Sequence, residues 1–237
     1  MFNGFSDATT DFLWNIRFNN ERPWFNEHKQ EYLDHLWTPF KTLANEVYDL
    51  FTDEYKDLYV NLHVSRIYRD ARRLHGRGPY KDHLWFSIRP DHEYWHERPV
   101  FWFEIAPEGY SFGLGVYAPN PAQMERFRRE VDAGAPELIR LAEEFEKQDW
   151  FVLEGAEYDR KKGDPPAPLN KWYNRKSLNL ACNRGHDEKY YSGELVAEVV
   201  KGFSMLEPYY RYFDSLASRA MEESEEKAEP KKDKFDF

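Results

Sequence analysis

The apolar residues of the first fifty positions recur at the spacing of an α-helix. A first set runs from Phe12 to Phe18 and follows Ser6, a residue that commonly caps helices. A second, longer stripe runs from Phe25 to Phe51 and contains Pro39. Because proline lacks an amide hydrogen and crowds the preceding turn, we expect two helices that meet near Thr38.

The middle of the chain changes to the two-residue alternation that is typical of β-strands. Alternating segments rich in aromatic and β-branched residues span 60–69, 83–89, 100–106, 110–117, 150–158 and 177–182. Further helices are predicted from Pro121, with a break at Gly134, and over residues 195–220, with an interruption at Pro208. Helices, then antiparallel strands, then helices predict an α+β fold with a central, mainly antiparallel sheet.

Composition places this pattern in a single domain with a separate tail. Of the 237 residues, 41% are hydrophobic and 18% aromatic, which is enough for a large core and excludes a mainly disordered chain. We predict one α+β domain over residues 5–220. Residues 221–237 are acidic and Lys-rich, so they bury too little apolar surface to offset the cost of ordering and predict a disordered tail.

Charge, hydropathy and cysteine content restrict the classes of function. The net charge is −10, so nucleic acid is not an expected partner. No apolar stretch approaches the ~18 residues that span a bilayer, so no membrane association is expected. Cys182 is the only cysteine, and residues 1–7 show no signal-peptide pattern, so a cytoplasmic location is predicted. No cofactor is predicted, and the oligomeric state is left open.

One segment is basic within this acidic chain. Between Arg66 and Lys81 there are six cations and one acid. Planar guanidinium groups, together with amides left accessible by Gly76 and Gly78, suit the recognition of phosphate or carboxylate. We therefore predict that the segment binds an anionic or phosphorylated small molecule. The candidate ligand-binding residues are Arg66, Tyr68, Arg69, Asp70, Arg72, Arg77, Tyr80 and Lys81.

The same arginines also have a purely structural interpretation. If the strand continues through Arg69, Arg66 shares the face of Val64 while Arg69 points to the opposite face with Ile67. An arginine against apolar surface requires a partner, and salt bridges or a solvated loop would then explain the charges. The alternative function is a non-catalytic protein-interaction module, in which the aromatic surface and the acidic tail engage a protein partner.

A second motif has the appearance of a zinc site. His92, Glu93 and His96 match the H-E-x-x-H pattern, in which a helix places two zinc-binding imidazoles on one side. The match lies in a short connection between Pro90 and Pro99, which favours a hairpin loop instead of a helix. We predict no metal ligands, and a zinc-dependent hydrolase is the less favoured alternative.

Three stretches of the chain resemble a known family. The run Arg66-x-Tyr68-Arg69-Asp70-x-Arg72, followed by Pro79-Tyr80-Lys81-x-His83, resembles the signature of the uncharacterised family catalogued as domain of unknown function 2461. Two further elements, residues 19–25 and 113–119, resemble other parts of the family pattern. The resemblance covers roughly residues 5–213 and implies no particular activity. Ser65 and Arg73 depart from the aromatic residues that flank the family's signature.

Overall fold

A computed structural model of the chain describes residues 1–70, 72, 74, 76–91 and 93–228. The helices in this part are α1 (Asp7–Phe18), α2 (Arg22–Glu27), α3 (Lys29–Glu31), α4 (Thr38–Glu54), α5 (Pro121–Asp132), α6 (Pro136–Phe145), α7 (Asn170–Tyr173) and α8 (Glu194–Ala228). The strands are β1 (Val60–Val64), β2 (Leu84–Pro90), β3 (Pro99–Ala106), β4 (Gly109–Val116), β5 (Val152–Glu154) and β6 (Asn179–Arg184).

The six strands form one antiparallel sheet in the order β1-β2-β3-β4-β6-β5. Helices precede and follow the sheet, so the predicted α+β fold is confirmed. The alternation in β2 places the fully buried apolar side chains of Leu84, Phe86 and Ile88 on one face, and the half-buried Trp85, the buried Ser87 and the half-buried Arg89 on the other. One face of the sheet therefore belongs to the core and the other is polar.

Aromatic rings join the core face to the two long helices α4 and α8. The ring of Phe40 on α4 lies 5.9 Å from that of Phe86 and 6.1 Å from that of Phe103. Phe203 on α8 lies 5.2 Å from Phe101. We call the opposite side of the sheet the open face. Its side chains include Asn61, His63, Trp85, Ser87, Arg89, Trp102, Glu104, Ser111, Glu154, Asn179 and Asn183.

The expected break between two helices near Thr38 is not observed, because the backbone stays helical through Trp37 and Thr38. The type of helix changes there instead: a π-helical stretch, Tyr32–Trp37, continues directly into α4, which starts at Thr38 and has Pro39 as its second residue. Pro39, which has no amide hydrogen to donate, thus lies where the π-helical hydrogen-bond pattern changes to the α-helical one. Phe18, at the end of the first apolar set, does not join the core: it is 75% exposed and stacks on Trp14.

The expected interruption at Pro208 is wrong, because α8 is a single helix from Glu194 to Ala228. Buried side chains on both sides of the proline, Phe203 and Phe213, hold the helix in place and offset a cost of ~3 kcal/mol. The helix also extends into the predicted tail, of which residues 229–237 lie outside the described part. No helix in the described part has both the length and the apolar character needed to cross a membrane.

The first strand ends at Val64, earlier than the alternation predicted. The Ser65 amide donates to the Trp85 carbonyl at 2.8 Å, and the Ser65 Oγ accepts from the Trp85 amide at 3.0 Å. Because a side chain has replaced the backbone acceptor, the regular ladder stops there. Beyond this point Ile67 is buried and Arg66 is exposed. Arg66 therefore does not lie against apolar surface, as it would if it continued the face of Val64.

Phe203→Ala is expected to lower the free energy of unfolding by ~3–5 kcal/mol, measured by urea denaturation. The fully buried ring contacts Phe51, Phe101 and Phe112, so its removal opens a cavity between α4, α8 and the sheet. Glu222→Ala, at an exposed position of the same helix, is the control and should change stability by less than ~0.5 kcal/mol. A loss below ~1 kcal/mol in Phe203→Ala would contradict this account of the core.

Candidate functional site

The basic segment, residues 66–81, is fixed at its base by Asn20. The Asn20 Oδ1 accepts from the Tyr80 amide and the Asn20 Nδ2 donates to the Tyr80 carbonyl, both at 2.9 Å. Gly78 makes this approach possible, since a Cβ there would lie 2.2 Å from the Asn20 Oδ1. The buried Tyr80 ring stacks on Phe25 at 4.3 Å. Tyr80 is therefore a structural residue of the core.

The two ends of the segment pair with each other as a short antiparallel stem. The Arg69 amide donates to the Pro79 carbonyl at 2.8 Å, and the Lys81 amide donates to the Ile67 carbonyl at 2.7 Å. Tyr68 faces Tyr80 across this stem, with 55% of its surface exposed. The stem fixes the backbone of Lys81 at the end nearest the sheet.

Arg69 is the arginine that required a partner, and the structure supplies two. Its Nε donates to the Tyr80 carbonyl at 2.8 Å, and its Nη2 lies 3.4 Å from the Asp82 Oδ1. Asp82 also accepts from Arg17 on α1 and lies 3.2 Å from the His83 Nδ1. Burial tends to raise the pKa of Asp82, but the hydrogen bonds from Arg17 and His83 outweigh it and lower the pKa below its ordinary value. Arg69 thus serves to hold the segment together.

Two other candidate arginines lie away from the sheet. Arg72 pairs with Asp70 at 2.8 Å, and 88% of the Arg72 side chain is exposed. Arg77 is exposed in the turn, where its amide donates to the Leu74 carbonyl. Arg73 and His75 lie outside the described residues. The eight candidate residues are therefore divided among the core, the loop and the sheet, and do not form one site.

Three cations lie close enough to His63 to affect its charge. Burial lowers the pKa of His63, and the positive charges of Arg89, Lys81 and Arg66 lower it further. We call Arg66, Lys81 and Arg89 the open-face cations. None of their side chains forms a hydrogen bond or an ion pair with a residue that the structure describes. This part of the open face is therefore positive although the chain as a whole is acidic.

Two of these cations, Lys81 and Arg89, lie against indole rings. The Lys81 Nζ lies 5.7 Å from the centre of the Trp85 ring, and the His63 ring lies 5.4 Å from it. The Arg89 guanidinium stacks on Trp95 at 3.7 Å. Cation–π contact stabilises a positive charge without neutralising it, so the charges stay available to an anion.

Glu104 adds a carboxyl group next to the open-face cations. It lies directly across from Trp85 in the register of β2 and β3, and it accepts no hydrogen bond within the described part of the chain. Burial raises its pKa, while the nearby His83 and Lys81 act to lower it. A partly buried carboxyl group without a fixed partner can exchange a proton with a bound molecule.

The far half of the open face is closed by its own hydrogen bonds. The Trp102 Nε1 donates to the Asn179 Oδ1 at 3.0 Å, and Glu154 accepts from Asn179 and Asn183. Trp102 faces Gly113, where a Cβ would lie 2.0 Å from a carbonyl of β6. Gly113 of β4 is thus explained by its close packing against β6.

The zinc-like motif lies in the hairpin between β2 and β3, as its flanking prolines predicted. Glu93 is in a turn and His96 is in a single 3-10 turn, Trp95–Glu97, so an α-helix does not present the pair. His92 lies outside the described residues. Among the described residues no group of three histidine, cysteine or acidic side chains is placed to hold a metal ion.

Sequence reasoning missed His63, Trp85, Arg89 and Glu104. These residues lie on three different strands, β1, β2 and β3, so no local sequence motif contains them. A signal was present in β2, where Trp85, Ser87 and Arg89 occupy every second position between buried apolar residues. Reading the polar positions of neighbouring strands together would have indicated this face.

Comparison with known proteins identifies a family for the chain. The family model described as "Conserved hypothetical protein (DUF2461)" matches residues 8–212. A search of curated proteins finds no match.

Arg17→Gln is expected to lower stability by about 1 kcal/mol at pH 7, and the deficit should shrink as the pH falls below about 4. Hydrogen bonds from Arg17 lower the pKa of Glu108 and contribute to the lowered pKa of Asp82. A carboxyl group with a lowered pKa stabilises the fold above its unfolded pKa, and this contribution is lost as the pH falls through the folded pKa.

Urea denaturation at pH 7 and pH 3 measures this effect. Arg72→Gln is the matched control, because the exposed pair of Arg72 with Asp70 contributes little to stability. A deficit of the same size at both pH values would show that Arg17 does not act through these carboxyl groups.

Proposed function

The chain belongs to the DUF2461 family of conserved hypothetical proteins, and from the geometry of its open face we propose that it binds an anionic small molecule through Arg66, Lys81 and Arg89. The observation that carries the proposal is that Lys81 and His63 both lie against the Trp85 ring and Arg89 lies on the same face of β2, with Arg66 nearby and no carboxylate bonded to any of the three cationic side chains. Because like charges repel, such a cluster is stabilised by a bound anion.

The contrast with the other arginines supports this assignment. Arg69 and Arg72 each contact a carboxylate of the protein, so their charges are already compensated. The open-face cations come from three places in the chain: the end of β1, the end of the basic segment and β2. Fixed backbones at all three places hold the charges in position before a ligand arrives, which lowers the entropic cost of binding.

The shape of the surface restricts the ligand. The Trp102 network closes the far half of the face, so the ligand lies over β1 and β2, next to Trp85. An indole face adds apolar contact for a carbon skeleton or a ring beside the charged group. A small molecule with one phosphate or carboxylate group and a short apolar portion fits this surface.

Inorganic phosphate, pyrophosphate and citrate are the probes for this function in thermal denaturation at low salt. The best of them should stabilise the protein by ~2.7 kcal/mol at 100 times its Kd. Arg66→Ala should weaken binding about tenfold or more, because the side chain is exposed and supplies charge without holding the fold.

Arg72→Ala and Arg77→Ala are the matched controls, since both remove one positive charge from the same segment away from the open face. They should leave the affinity within about twofold of the unmodified protein. The proposal fails if no anion stabilises the protein, or if the control variants weaken binding as much as Arg66→Ala.

A further inference from the structure

Lys81 differs from the other described lysines in its surroundings. Its side chain is half-buried, its backbone is fixed to Ile67, and no carboxylate is bonded to its Nζ. By contrast, Lys171 and Lys189 are ion-paired with Glu146 and Glu194. The amine of Lys81 is therefore held at one place without a stabilising partner for its charge.

Burial and neighbouring charge both favour the uncharged form of this amine. Burial is the larger cause, Arg69 and then Arg66 add to it, and Glu104 opposes it, so that the pKa of Lys81 falls to about 8. At pH 7.4 about a fifth of the Lys81 amines would be uncharged, against about one in a thousand for an ordinary lysine.

An uncharged, positioned lysine amine is a nucleophile for carbonyl carbon. The open face supplies the other groups that imine formation requires. Arg66 and Arg89 can hold an anionic group of the substrate, Trp85 lines the surface beneath the Lys81 Nζ, and Glu104 can donate and accept a proton.

We propose that Lys81 forms an imine with an aldehyde or ketone that carries a phosphate or carboxylate group. This inference rests on the proposed function, because the other two open-face cations, Arg66 and Arg89, hold the anionic group. The Lys81 nitrogen attacks the carbonyl carbon, and a proton moves from nitrogen to oxygen to give the carbinolamine. Glu104 then protonates the departing hydroxyl, water leaves, and the Glu104 carboxylate regains a proton from the iminium nitrogen.

Pyridoxal phosphate, a phosphorylated aldehyde, followed by borohydride reduction is the direct test. Peptide mass spectrometry should locate one adduct per chain at Lys81, and the labelling rate should rise with pH through a midpoint near 8. Pyridoxal without its phosphate is the matched probe and should require about tenfold or more higher concentration. Label spread over exposed lysines in proportion to their exposure would overturn the proposal.

Variants separate the imine from the anion site. Lys81→Arg keeps the positive charge but removes the nucleophile, so phosphate should still stabilise the protein while the adduct disappears. Glu104→Gln should slow adduct formation about tenfold or more without moving the label. Lys171→Met is the control lysine and should leave labelling unchanged.

The two proposals fail in different ways. Stabilisation by phosphate together with no adduct at Lys81 would overturn the imine proposal and leave the anion site in place. Equal labelling by both aldehydes, unchanged in Arg66→Ala, would contradict the anion site and with it an anionic substrate.

Discussion

The paired hydrogen bonds between Asn20 and the backbone of Tyr80 are the constraint on which the site depends. They bring the turn between α1 and α2 against the basic segment, and Gly78 is required because no side chain fits beneath Asn20. Tyr80, stacked on Phe25, then carries the carbonyl that accepts from Arg69. The two segments around Asn20 and Tyr80, which both resemble parts of the family pattern, therefore contact each other, and together they place the next residue, Lys81, beside the sheet.

The partners of the cationic side chains in this region depend on where each side chain lies. Cations that bridge parts of the backbone, such as Arg69 and Arg17, have carboxylate or carbonyl partners because burial without a partner is costly. On the open side of the sheet, Lys81 and Arg89 rest on indole rings instead and keep their charge uncompensated. The difference between a structural and a binding arginine here lies in its partners, which the residue type does not reveal.

Much of the architecture could be predicted from the sequence, because helical spacing and strand alternation are local properties. The strands followed from alternating aromatic and β-branched residues. The early end of β1 could not be predicted, since it depends on a side-chain hydrogen bond of Ser65 to a neighbouring strand. The continuity of α8 through Pro208 depends on packing by Phe203 and Phe213. The site residues His63, Arg89 and Glu104 share one face of the sheet only through the pairing register of three strands.

The outermost strands of the sheet are also its shortest, with five residues in β1 and three in β5. An outer strand exposes unpaired amides and carbonyls that can recruit another chain, and short edges leave few of them. β1 borders the open-face cations and ends at Ser65, whose hydroxyl completes the last pairing. The fold thus gives little opportunity for aggregation by strand addition at the border of the surface that is positioned to meet a ligand.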